Sequence, residues 1–213
     1  LLDAEPAVVR AGTARAARGA AIVAVMAGTP SGEIPDGPHR HIEVTVRDGV
    51  DPMLRAPDIH RVLGRALEAA GAPPFAIVGL ILSDDEELAA LNAAHMGKEG
   101  PTDVLSFPLL PPDAYPPHLG QDPAVRATSV APPFVLPPDE PVHLGEIVVS
   151  CERARAQADE GRGGQTGDVR WSPADELRLL LTHGALHLCG WDHADPTEEA
   201  AMRALERELL AAG

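Results

Sequence analysis

The chain has 213 residues, 45% of them apolar, and a formal net charge of −15 from 17 Lys plus Arg against 32 Asp plus Glu. That length suits one domain with its own core, and the negative balance argues against a broad nucleic-acid binder, which needs a basic surface to displace counterions from phosphate. No apolar run approaches the roughly 18 residues that suggest a membrane span, and two cysteines, Cys151 and Cys189, make no disulfide framework, which fits a reducing cytoplasm.

Residues 1 to 38 are rich in Ala, Gly and Arg with little periodicity. They read as a disordered or non-native extension, with Met26 a candidate natural start, ahead of a single domain over residues 39 to 213. The patch GAAIVAVMAG faintly resembles a secretion signal, but its core is short and no cleavage site stands out among the alanines.

From His41 the texture changes. HIEVTVRDG alternates Ile42, Val44 and Val46 with polar neighbours, a half-buried strand. DIHRVLGRALEAAG spaces Ile59, Val62, Leu63, Ala66, Leu67 and Ala70 as one face of a helix that Gly71 terminates. FAIVGLILS is apolar on both faces and predicts a central strand. Ser83 with Glu86 forms a capping-box signature for the helix DDEELAALNAAH.

TDVLSFPLL is a short strand that Pro108 ends. Residues 108 to 142 hold eleven prolines, too many missing N–H donors for sheet or helix, and are expected to form a long loop insertion. LGEIVVS resumes as a strand, and Ser150 caps a helix through CERARAQADEG. Ser172, Pro173 and Asp175 open a helix that runs through ADELRLLLTHGALHLC to Gly190. Asp195, Pro196 and Glu198 open the last helix, with Met202, Leu205 and Leu209 as its buried stripe. The elements define an α+β domain: a mixed, roughly four-stranded sheet packed with four or five helices.

THGALHLCGWDH places three of the nine histidines within eleven residues. Residues four apart lie about 40° apart around a helix, so His183 and His187 share a face. Gly190 can take the left-handed conformation that ends a helix, and the returning chain brings His193 to the same point. Three nitrogen ligands with a fourth position open is the pattern of catalytic zinc, whereas a structural zinc closes its shell with four. Cys189, two residues past His187, lies about 200° round the helix and is read as a small buried apolar residue. His39, His41, His60, His95, His118 and His143 have no partner at ligand spacing and are read as ordinary packing or surface residues. The spacing also matches the HExxHxxGxxH pattern of a class of zinc proteases. Gly184 replaces their glutamate base, which disfavours a peptidase.

HGALHLCGWDH resembles the HGxLHLxGYDH signature of the YbeY family, bacterial zinc-dependent endoribonucleases of ribosomal RNA maturation. GPTDVLSFPL, from Gly100 to Leu109, resembles that family's PTDVLSFP element, and LGEIVVS, from Leu144 to Ser150, its LGDIVIS strand, in the same order. With LNAAH and EEAAMRALERELL the likeness spans roughly residues 41 to 213. It implies one Zn2+ per chain on His183, His187 and His193, and hydrolysis or transesterification of single-stranded RNA at the 3′ end of the small-subunit ribosomal RNA. It also implies a part in ribosome quality control, in the cytoplasm and off the membrane. Two departures stand out. Met96 occupies the position where the family frequently has an arginine, leaving Lys98 as the nearest matching cation for a phosphate, and the proline-rich insertion is longer than usual.

Asp103, Glu146 and Asp192 are candidates for a proton acceptor, Asp192 also for orienting an imidazole. With 3% aromatic residues, base stacking has few platforms, so a ribosomal particle or a protein partner is expected to present the RNA. The alternatives are a non-catalytic assembly factor stabilised by zinc and a metallopeptidase lacking the usual glutamate.

Overall fold

The computed structural model describes residues 7–8 by their backbone, and 40–122, 141–160 and 171–211 in full. Its strands are β1 (Ala7–Val8), β2 (His41–Val46), β3 (Ala76–Ser83), β4 (Val104–Pro108) and β5 (Val142–Ser150). The helices are α1 (Ala56–Ala69), α2 (Asp85–Met96), α3 (Cys151–Asp159), α4 (Pro173–Leu188) and α5 (Pro196–Ala211). This is the expected α+β domain with a mixed sheet, its four long strands joined at one edge by the two-residue β1. Of the expected N-terminal extension, only Ala7–Val8 falls among the described residues, pairing in parallel with Leu105 and Ser106; the GAAIVAVMAG patch and His39 lie outside them. Within the proline-rich insertion, residues 123–140 also lie outside them, and Pro112–Ala114 forms a single 3₁₀ turn.

The sheet order is β1-β4-β5-β3-β2. β2, β3 and β5 run parallel, and β4 is antiparallel to β5. β3 is an interior strand between β5 and β2; Ala76, Val78, Leu80 and Leu82 are fully buried on one of its faces, and Ile77 and Ile81 are half buried on the other. The alternation of side chains sends Val104, Ser106 and Ile147 towards Gly184 of α4, and sends Leu105 and Val148 into a second cluster with Leu88 of α2. The sheet therefore separates α4 on one face from α2 on the other. α4 lies against β4 and β5 and is flanked by α1, α3 and α5. Every residue from Glu176 to Leu188 is buried except Arg178 and Leu179.

Local signals decide the helix ends. Gly71 at φ +75° and Gly190 at φ +83° follow α1 and α4 in Schellman turns, with Ala72 N–H donating to Leu67 O at 2.8 Å and Trp191 N–H to Leu186 O at 3.1 Å. Ser150 caps α3 through Arg153 N–H, and Ser172 with Asp175 completes a capping box on α4. α2 begins one residue later than the Ser83 signal predicts. Asp84 is its cap, accepting from Glu87 N–H at 2.9 Å, while Ser83 ends β3 and donates its hydroxyl to the Glu87 carboxylate. The buried stripe of α5 is also different: Met202 is buried as expected, but beside Glu198 and Glu206, and Leu205 and Leu209 are only half buried. The two acids face inward because each has a buried imidazole to meet, as follows.

Candidate metal centre

α4 carries His183 and His187 on one face because they are one turn apart, and the Gly190 turn returns the chain so that His193 meets them. One ligand atom from each ring lies within 4.8 Å of the others. The Nε2 atoms of His183 and His187 are 2.8 Å apart. Both rings are buried, His187 at 2% exposure.

The far side of each helical imidazole is held. His183 Nδ1–H donates to Glu206 Oε1 at 2.6 Å, and His187 Nδ1–H donates to the carbonyl of Trp191 at 2.7 Å. A carbonyl only accepts, so the proton of neutral His187 sits on Nδ1 and its Nε2 lone pair points inward. Two such lone pairs at 2.8 Å repel unless a positive species lies between them. His193 Nε2 is buried and has no hydrogen-bond partner, a costly state for a nitrogen that a cation would relieve. Three neutral imidazoles, two of them oriented from behind, suit a zinc-type divalent ion. Among the described residues this is the one group with metal-ligand geometry.

Cys189 stays out of the centre, as its helical phase requires. It is 1% exposed, burial pushes its thiol up to about 12, and it is not among the side chains whose ligand atoms converge. Gly184 has a packing reason. A Cβ there would lie 2.8 Å from Ile147 Cγ2 and 3.2 Å from Ser106 Oγ, and Ser106 donates its hydroxyl to the Gly184 carbonyl at 3.0 Å. The position where zinc peptidases place their base is pressed against the sheet and has no room for a glutamate.

The three candidate carboxylates fall in different places. Asp192 lies on the triad's own turn, where its Oδ1 accepts from the backbone N–H of His193 at 2.8 Å; Glu206 is a carboxylate that holds His183 from behind. Asp103 is 2% exposed and ties the start of β4 to α3, accepting from Val104 N–H at 2.9 Å and from Gln157 Nε2 at 2.8 Å. Glu146 is on the α2 face, two residues from Val148 and opposite Gly79 and Phe107, so the sheet stands between it and α4. Its side chain occupies the space above Gly79, 3.4 Å from His143 Nε2, and desolvation, then the Glu43 charge, push it up to about 7. Lys98 is exposed in the turn after α2, and Met96 packs half buried on the Leu88, Leu105 and Val148 cluster.

Sequence reasoning missed Glu206, Glu198 and His118. Glu198 Oε1 accepts from Asp192 N–H at 2.9 Å and from His118 Nε2–H at 2.7 Å, rather than returning to Asp195 to close a capping box. The available signal was phase: Glu198, Met202 and Glu206 recur every four residues, one face of a helix.

An α+β domain with a buried tri-histidine centre on a helix and the turn beyond it is thus the class defined by fold and site. Its residues 51–212 match the profile of the family described as Endoribonuclease YbeY. The chain is similar to the Endoribonuclease YbeY of Symbiobacterium thermophilum, 41% identical over 72% of this chain and 83% of that protein. It is 37% identical to that of Salinispora tropica, covering 80% and 94%, and 33% identical to that of Dehalococcoides mccartyi, covering 78% and 85%. The solution structure of TM1509 from Thermotoga maritima covers 80% of this chain and 89% of its own, with a TM-score of 0.46 at 22% identity. The chain belongs to the endoribonuclease YbeY family.

Proposed function

We propose that this protein is a zinc-dependent endoribonuclease that cleaves single-stranded RNA in the maturation of the 3′ end of small-subunit ribosomal RNA and in ribosome quality control, in the cytoplasm. The observation that carries the reading is the partnerless, buried His193 Nε2 facing two imidazoles whose other nitrogens are engaged. Bound there, Zn2+ supplies a Lewis-acidic positive charge for a phosphodiester, the local cation that an acidic chain otherwise lacks. The chain's own part is positioning. Glu206 and the Trp191 carbonyl fix the two helical rings, and Asp192 and Glu198 fix the turn that bears His193. Of the three candidate carboxylates, Asp192 is the one on that turn, and it is the proposed proton acceptor. The ribosomal particle or a protein partner presents the RNA, because the sequence offers few stacking platforms. Among the described residues no helix is long and apolar enough to cross a membrane.

The deciding experiment measures bound metal and RNA cleavage together, before and after chelation and after zinc is restored. Loss and recovery in step are expected, with casein left uncut. Cleavage by metal-free protein overturns the mechanism. The burial of the triad favours one other reading, an ion that only secures the fold in an assembly factor. His187→Ala separates the two: a folded, inactive protein supports catalysis, and an unfolded one supports the structural ion.

A further inference from the structure

His118 comes from the proline-rich insertion and is far from the triad in sequence, yet it is built into the wall of the metal centre. Its ring stacks on Trp191 with centroids 4.0 Å apart and an 11° angle between planes. Its side chain is 6% exposed and that of its partner Glu198 7%. The Glu198 oxygen that accepts from His118 at 2.7 Å also accepts from the backbone N–H of Asp192 at 2.9 Å. Two residues on, Gly120 at φ +83° lies so close to the backbone of Thr197 and Glu198 that any Cβ would collide with it. The described stretch from His118 to Gly120 therefore seats on the N-terminus of α5 and on the turn between α4 and α5.

That turn does two jobs for the metal. The Trp191 carbonyl holds His187 Nδ1, and the peptide after Asp192 carries His193. His118 acts on both, stacking on the Trp191 ring and sharing the carboxylate that anchors Asp192. Resting on the metal-centre reading above, we propose that the stretch from His118 to Gly120 braces the site, with His118 the positioning residue that holds the Trp191–Asp192 turn in ligating geometry. Partners behind a ligand usually change metal affinity by about 10–100-fold when removed, and His118 acts one bond further out, so the lower end is expected.

Zinc transfer from the intact holo-protein to a chromophoric chelator gives the affinity, and the absorption of the cobalt(II)-substituted protein reports the geometry. His118→Ala is expected to lower zinc affinity about tenfold and to shift the cobalt bands. His118→Phe keeps the stack and loses the donor, so its affinity falls, whereas His118→Gln keeps a donor for Glu198 and recovers most of the loss. Should His118→Ala not fold, these two conservative variants decide the matter. Equal affinity and an unchanged cobalt spectrum in the Phe and Gln variants overturn the brace. So does a lowered melting temperature of the zinc-free protein with no change in affinity, which marks His118 as merely structural. A wild-type chain that holds neither zinc nor cobalt overturns the metal centre itself, which is a separate result.

Discussion

The two faces of the sheet each gather histidines and carboxylates, and they differ in everything that makes a site. On the α4 face, each helical imidazole has an acceptor behind it at 2.6 or 2.7 Å, so the remaining nitrogens converge. On the α2 face, Glu43, Gly79, Glu146 and Phe107 form one row across four strands, with His143 3.4 Å from Glu146 and His41 3.6 Å from Glu43. There the glycine lets a carboxylate fold over the sheet, and among the described residues no hydrogen bond fixes the His41 or His143 ring. The result is a desolvated acid held partly protonated near neutrality, with no metal-ligand geometry among the described residues. Residue types alone do not make a metal site; the acceptors that orient them do.

The comparison can be broken most severely at Gly184. Gly184→Glu is expected to cost more than about 4 kcal/mol, because it forces a charged side chain between α4 and the sheet, and soluble yield with far-ultraviolet circular dichroism will show it. A folded variant would mean that α4 is not seated as described. Next in size is Glu206→Gln, which removes the charge behind His183. Zinc affinity should fall about 10–100-fold, read by chelator competition, with the fold retained; unchanged affinity would leave Glu206 without an orienting role.

On the other face the effect is smaller and has a defined sign. Glu146 is pushed up to about 7 in the folded protein from an ordinary value of 4.5. Folding is thus favoured relative to high pH while the group stays protonated, below its unfolded value, and that advantage is lost as pH rises through about 7. Glu146→Gln should therefore be more stable than wild type at pH ~8, by about 1 kcal/mol, with the gap closing towards pH ~5. Urea midpoints at the two pH values test it, and parallel curves would refute the buried acid. Smallest is Asp84→Ala, which removes the cap of α2 at a cost of about 1 kcal/mol or less and should leave metal binding untouched.

Much of this was written locally. The chain order of strands and helices, the Gly71 and Gly190 stops, the Ser150 and Ser172 caps and the exclusion of Cys189 all follow from interactions within a few residues. The same holds for His183 and His187, whose shared face is a consequence of helical pitch. The cap of α2 was misread by one residue because Ser83 and Asp84 are both competent, and the hydrogen-bond register of β3 claims Ser83.

By itself, the sequence determined an α+β domain with three imidazoles gathered at the end of one helix, since spacing, pitch and a left-handed glycine act at short range. Only the tertiary structure decided what stands behind those rings. Glu206, Glu198 and His118 reach the centre from other elements, and Glu146 is turned away from it by the alternation of a strand whose facing partners lie elsewhere in the chain. Orientation of a ligand depends on contacts between distant segments, and no local pattern encodes which of two sheet faces a carboxylate will meet.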